Sequence, residues 1–272
     1  MPADNDIYRQ PGDIWWDERQ PLHALRACLN PARLEYFAAT FAARGLNPAG
    51  KVVIDVGCGG GLMAEEIARL GAVVIGVDPA APAIAIARAH AARSGLAIDY
   101  RVGPGERLPA GDGCADVVYC LDVLEHVADV DAVIAETARV LKPGGLYLFD
   151  TINRTWLSKL AAIKLGQDWA ATAWMPPGLH DWDQFITPAE LGRCLARHRL
   201  RPQALAGLAP RRSPLVLLRL LRQVKQGKLS YAELGHRAPF GLTRNLRISY
   251  LGHAIKDGPP EVPGGPDPAC DG

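Results

Sequence analysis

The chain has 272 residues, 49% of them hydrophobic, with 30 basic residues against 29 acidic ones. That length buries one sizeable core and leaves enough chain for a substrate cap, but not for a second independent domain. A net charge near zero argues against a nucleic-acid footprint spread over the whole surface, and no leader pattern or run of eighteen apolar residues points to a membrane span. The six cysteines, at positions 28, 58, 114, 120, 194 and 270, show neither metal spacing nor a disulfide rhythm. A reduced, cytoplasmic chain is therefore expected.

Residues 1–48 read as an N-terminal helical lid, with an aromatic segment at Trp15-Trp16-Asp17 and a helix from about Pro31 to Arg44. From 49 to 152 strand and helix alternate: strand 52–56, helix 61–70, strand 73–77, helix 82–94, strands 97–102 and 116–121, helix 131–141 and strand 145–150. Such alternation predicts an α/β fold, a doubly wound and mainly parallel sheet with ligands at the carboxyl ends of its strands. Residues 153–256 are expected to form a substrate cap and complete the sheet, with 151–186 irregular and Trp-rich, a helix at 187–197 and a last strand near 246–255. The Pro- and Gly-rich tail at 257–272 is expected to be disordered.

The first strand, Val52-Val53-Ile54-Asp55-Val56, runs straight into Gly57-Cys58-Gly59-Gly60-Gly61. Its apolar run reads as a strand covered on both faces, and the glycines let the next stretch of backbone approach a ligand closely. A dinucleotide fingerprint has a glycine at the sixth position, where this chain has Leu62, and Glu65-Glu66 then occupy helical turns in which a pyrophosphate favours amides or cations. A phosphate-free nucleoside suits this turn better. Asp55 before it favours an amine-bearing ligand, and S-adenosylmethionine, with its ammonium and sulfonium, has that character. Asp78, which ends a second apolar strand twenty-one residues after Gly57, is placed to accept both ribose hydroxyls; NAD enzymes share that contact, so by itself it marks only a ribose.

Two further motifs complete the set: Leu121-Asp122-Val123-Leu124-Glu125-His126-Val127 after the fourth strand, and Leu141-Lys142-Pro143-Gly144-Gly145 before the fifth. Together the motifs resemble those of the class I S-adenosylmethionine-dependent methyltransferases, whose sheet is Rossmann-like. Within that class the chain is most similar to the ubiquinone-biosynthesis O-methyltransferases, which methylate phenolic hydroxyls of polyprenylated catechols. The similarity takes in Trp15-Trp16-Asp17, Asn30-Pro31-Ala32-Arg33-Leu34, Gly178-Leu179-His180-Asp181 and Phe185-Ile186-Thr187-Pro188. It covers roughly the first 200 residues, while the basic stretch 211–245 is longer than that family's pattern.

The resemblance implies that Arg33 reaches the methionine carboxylate of the donor and that Glu106 lies near its adenine. Arg33, Asp55, Gly57, Gly59, Asp78, Glu106 and Leu121 are then the expected donor-binding residues. Asp122, Glu125 and His126 share one face if a helical turn begins there, and the resemblance associates that trio with Mg²⁺, Asp122 standing where the family carries glutamate. The other reading is that Glu125 and His126 only cap the helix and bond the donor loop. Proton removal from the acceptor falls to Glu125 or His126, with His180 as a further base, and Trp15 and Trp16 either wall a quinol ring or anchor the lid. Segments 155–165 and 214–228 mix basic and apolar residues as interfacial helices do, and either touch a membrane surface or pack on the protein.

The expected activity is thus methyl transfer to a phenolic or catecholic hydroxyl of a lipophilic, quinone-precursor-like molecule. Transfer to oxygen, nitrogen or carbon of another natural product is the alternative, and a protein that only binds the donor is a third. The pattern sets no subunit number.

Overall fold

The computed structural model describes residues 6–9, 13–170 and 172–258. Eight strands form one sheet in the order β3-β2-β1-β4-β5-β8-β6-β7. The parallel half comprises β1 (Val52–Val56), β2 (Val73–Asp78), β3 (Asp99–Val102), β4 (Ala115–Cys120) and β5 (Leu141–Ile152). The antiparallel half adds β6 (Leu200–Pro210), β7 (Phe240–Thr243) and β8 (Ser249–Lys256). In β1 the registers Val53↔Val74 and Val53↔Val117 hold the strand between two parallel neighbours. Chain order reverses across the β1–β4 pair, where open α/β sheets bind ligands.

Helices α1 (Asn30–Ala43), α2 (Leu62–Arg69) and α3 (Ala81–Arg93) precede the reversal, and α4 (Val130–Val140) follows it. Alternate residues of the central strands feed opposite layers. Ile54, Val118 and Tyr147 pack with Val133 and Ile134 of α4, while Val53, Val117 and Leu146 pack with Phe37, Ile67 and Ile84. This two-sided burial explains why the strands read as continuous apolar runs rather than alternating ones.

Past β5 the chain makes a short helix, α5 (Trp156–Ser158), continued by a wider π-type coil, Lys159–Asp168. Then follow α6 (Pro188–Arg197), α7 (Pro214–Lys225) and α8 (Tyr231–Arg237). A capping box opens α6: Glu190 N donates to Thr187 Oγ1 at 3.3 Å and Thr187 N to Glu190 Oε2 at 2.9 Å. Helix α7 buries Leu220 and Leu221 in a cluster with Cys28, Tyr231 and Leu234, yet leaves Leu215 79% exposed. The reading that this segment packs on the protein therefore holds for its Leu220–Leu221 face. The expectation for the tail holds no structural counterpart, because 259–272 lie outside the described residues.

Candidate functional site

The site forms where β1, β4 and β5 end. Gly57 has φ +74°, and a Cβ there would come 2.2 Å from Val123 Cγ2, so the turn admits only glycine and lies flush against the loop after β4. Gly59 and Gly60 are covered by the Trp15 indole, which a Cβ on either residue would meet at 2.3 Å. Asp78, nearly buried, accepts from Gly59 N at 2.9 Å and from Ala80 N at 2.8 Å. It thereby fixes the turn from behind.

Arg33, Asp55, Gly57, Leu121 and Asp122 line a common cavity with Trp15. Of the expected donor-binding residues, Gly59, Asp78 and Glu106 do not line this cavity: Gly59 and Asp78 are joined to each other in the turn beside it, and Glu106 sits half-buried in the turn after β3. Asp55 accepts from the Tyr119 hydroxyl at 2.8 Å, and burial pushes its carboxyl up to about 8 in spite of that bond. Arg33 is 2% exposed and bridges two acids, with Nε 2.6 Å from Asp150 Oδ2 and Nη2 2.5 Å from Asp122 Oδ2, while Nη1 donates to Asn30 Oδ1. Asp150 in turn accepts from Asp122 N at 2.8 Å.

The sequence-based expectation of a helical turn from Asp122 is not met. Asp122 has φ +53°, a left-handed conformation rare outside glycine, and α4 starts only at Val130. The segment is instead a tight turn closed by His126 N donating to Val123 O at 2.8 Å. The bonds from Arg33 and Asp150 hold the strained residue in place. Asp122, Glu125 and His126 therefore share a loop rather than a helix face. Their donor atoms are not gathered in the span of one ion; among the described residues only Asp131, Cys194 and His198 place three potential ligand atoms within 4.8 Å of one another.

Glu125 is 1% exposed; its Oε2 accepts from Thr151 Oγ1 at 2.8 Å and its Oε1 has no hydrogen-bond partner among the described residues. Burial first, and the Asp122 charge second, push its carboxyl well above the usual carboxylate range. The His126 and His180 rings are tilted against each other with centroids 4.9 Å apart. Burial lowers His126 to about 4, and burial with the neighbouring His126 lowers His180 to about 3, so both imidazoles are neutral at pH 7. Gln167 Oε1 accepts from His180 N at 2.7 Å and lies 2.8 Å from His180 Nδ1. Since that oxygen only accepts, Nδ1 carries the proton and Nε2 is the basic nitrogen.

Sequence reasoning passed over Asp150, Asn30, Gln167 and Tyr8. Only Asp150 carried a legible signal, an acid ending an apolar strand like Asp55 and Asp78. Tyr8 stacks on Trp15 at 5.9 Å and meets His126 edge-on at 5.8 Å.

A mainly parallel half-sheet with a glycine turn at its reversal and a strand-end acid beside the turn is the setting in which open α/β sheets bind an adenosine-containing ligand, and the comparisons make that ligand the methyl donor of a methyltransferase. The family model described as a methyltransferase domain matches residues 54–149. Magnesium protoporphyrin IX methyltransferase from Synechocystis PCC 6803, solved with bound SAH, shares the fold with a TM-score of 0.57 and 17% identity over 93% of this chain and 92% of its own. A SAM-dependent methyltransferase from Aquifex aeolicus gives 0.53 and 14% over 85% and 92%. Among curated proteins, the ubiquinone biosynthesis O-methyltransferase of Xanthomonas axonopodis pv. citri is 43% identical over 75% of this chain and 82% of its own, and that of Rhodopseudomonas palustris 42% over 76% and 83%. The chain belongs to the family of the ubiquinone biosynthesis O-methyltransferases. It is an S-adenosylmethionine-dependent O-methyltransferase.

Proposed function

We propose that the acceptor is a phenolic or catecholic hydroxyl of a lipophilic, quinone-precursor-like molecule, and that His126 takes the hydroxyl proton with His180 beside it. The supporting observation is the pair of neutral imidazoles 4.9 Å apart, both within reach of the charge of Asp122, which lines the cavity with Arg33, Asp55 and Gly57. The relatives' name, with its O-methyl transfer in ubiquinone biosynthesis, supports the same acceptor class. The donor supplies an electrophilic methyl on a sulfonium. The glycine turn fits it, because at Gly57 bare backbone borders the cavity where a side chain would not fit. Arg33 is assigned the donor's carboxylate through the guanidinium N–H groups its two acids leave, Asp78 the ribose, and Leu121 the edge of the cavity. Attack by the phenol oxygen on the methyl carbon makes the hydroxyl proton strongly acidic, so an imidazole of low basicity suffices to remove it. Donor turnover with catechols, but not with matching anilines or arenes, is the expected result of an acceptor panel read as S-adenosylhomocysteine released; turnover with anilines alone would reverse the assignment.

Mg²⁺ is proposed at Asp122, Glu125 and His126, whose donor atoms lie too far apart to share one ion as they stand, so that the proposal requires their loop to draw them together. The unpartnered buried oxygen of Glu125 supports it, as does a wall of five acids (Asp55, Asp78, Asp122, Glu125 and Asp150) against Arg33, the one buried arginine among the described residues. When bound, the ion would acidify the acceptor hydroxyl. Chelation is expected to abolish turnover and added Mg²⁺ to restore it, whereas full turnover in chelator would leave the proton to the imidazoles alone.

Peripheral membrane contact is proposed through 155–165 and 214–228. No helix among the described residues is long and apolar enough to cross a membrane. Trp156 is 79% exposed and Lys159 Nζ lies over the Trp156 and Trp182 rings at 5.4 and 4.4 Å. On α7, Arg219, Arg222 and Lys225 are exposed beside Leu215. Co-sedimentation with anionic vesicles should weaken several-fold when Arg219 and Arg222 become glutamate; unchanged binding counts against the contact.

A further inference from the structure

We propose that Tyr8 forms one wall of the acceptor pocket and orients the acceptor ring against His126, a positioning role that rests on the phenolic acceptor proposed above. The observation is a continuous row of rings. Trp15 covers the glycine turn; Tyr8 stacks on Trp15 with centroids 5.9 Å apart and planes at 22°; His126 meets Tyr8 at 5.8 Å and 80°; His180 follows at 4.9 Å and Phe185 at 6.1 Å. Tyr8 is the link in this row between the donor side and the imidazole pair. Planar aromatic ligands are held by such stacked and edge-on faces.

The tyrosine is held there by its own packing and by that of its neighbours, since Tyr8 lies against the cluster of Trp15, Leu22, Leu62, Ala80 and Ala83. Ile7 packs with Trp15, Leu22, Leu62 and Ala83. Trp16 latches the segment to the core: its Nε1 donates to Gly60 O at 2.9 Å, its ring lies parallel to His90, and Arg26 covers it at 5.3 Å. His90 is itself fixed by the fully buried Glu65, with Nδ1 2.5 Å from Oε1. These anchors hold the segment in place alongside the ring's own contacts with Trp15 and His126. Burial and the charges of Asp122, Glu125 and Asp78 push its hydroxyl pKa up, so the ring stands in the row as a neutral phenol.

The test compares wild type, Tyr8→Ala and Tyr8→Phe with one catechol found to be a substrate of the wild type, alongside calorimetric titration of S-adenosylmethionine. For Tyr8→Ala we expect acceptor KM to rise on the order of tenfold, from the loss of one aromatic face. Donor affinity should stay unchanged, and Tyr8→Phe should restore most of the acceptor KM. A fall in donor affinity matching the loss in kcat/KM would make Tyr8 a cover of the donor pocket only. A gain in kcat/KM would show the phenol competing with the acceptor. Unaltered kinetics would remove Tyr8 from the pocket, and each of these three results overturns the proposal while leaving the acceptor class standing. A wild type inactive on every phenol tried would overturn the acceptor class, and the wall proposal with it.

Discussion

Replacing Arg33 with glutamine is expected to lower the free energy of unfolding by about 3 to 5 kcal/mol, the usual effect of stripping one partner from a buried ion pair. The guanidinium, 2% exposed, is the cation that faces Asp150, itself 2% exposed, and it also holds the strained Asp122. Without it, Asp150 is left beside Asp122 with no compensating charge, and the loop that carries Glu125 and His126 loses its tether. For a chain of this size the melting temperature should fall by roughly 6 to 20 °C. Pairing Arg33→Gln with Asp150→Asn should cost less than the sum of the single changes, because the two residues share one network. A melting temperature within a degree or two of wild type would show that the network carries little of the site's stability.

His126→Asn is expected to lower kcat by about 10² to 10⁴, the range for loss of a general base, with donor affinity intact. The pH profile carries the sign. Burial lowers His126 to about 4, so the ring accepts a proton at any pH well above that value. The acid limb of wild-type kcat/KM should fall near pH 4 rather than near the ordinary histidine value of about 6.5, and it should vanish in the asparagine variant. Melting temperature is a poorer probe of this titration. Acidification from about 6.5 toward 4 weakens the fold through His126, whose unfolded form binds the proton first. Asp55, raised to about 8, acts in the opposite sense, because its folded form holds a proton that the unfolded chain releases above about 3.9. The two contributions offset each other in stability but not in the rate.

The parallel half of the sheet was legible in the sequence because β1, β2, β4 and β5 are covered on both faces and carry unbroken apolar runs. The antiparallel half was less so. Strand β6 reads as loop, with Pro202 and Pro210 and small residues between them; the structure accommodates Pro202 at a register shift between Pro202 and Leu205, the setting that tolerates proline inside a sheet. Strand β5 begins at Leu141, inside the Leu-Lys-Pro-Gly-Gly stretch that reads as a helix stop, because α4 ends at Val140 without an intervening loop.

In the site, Arg33, Asp55, Gly57 and Leu121 were legible from strand ends and motif residues, and they do meet. Asp122, Glu125 and His126 have an i, i+3, i+4 spacing that would share one face in a helical turn, a condition that the left-handed Asp122 does not meet. Spacing alone cannot report a backbone conformation imposed by Asp150 and Arg33, one 28 and the other 89 residues away. Tyr8 and Gln167 were illegible for the same reason, since each acts through a tertiary contact with a histidine distant in sequence.

The most direct measurement of the central claim is the fate of the methyl group. Incubation of the protein with S-adenosylmethionine carrying a ¹³C-labelled methyl and a catechol, with the product examined by mass and NMR, should give one labelled methyl on oxygen for each S-adenosylhomocysteine formed. Label on carbon or nitrogen, or donor that binds but is never converted with any phenol, would contradict it.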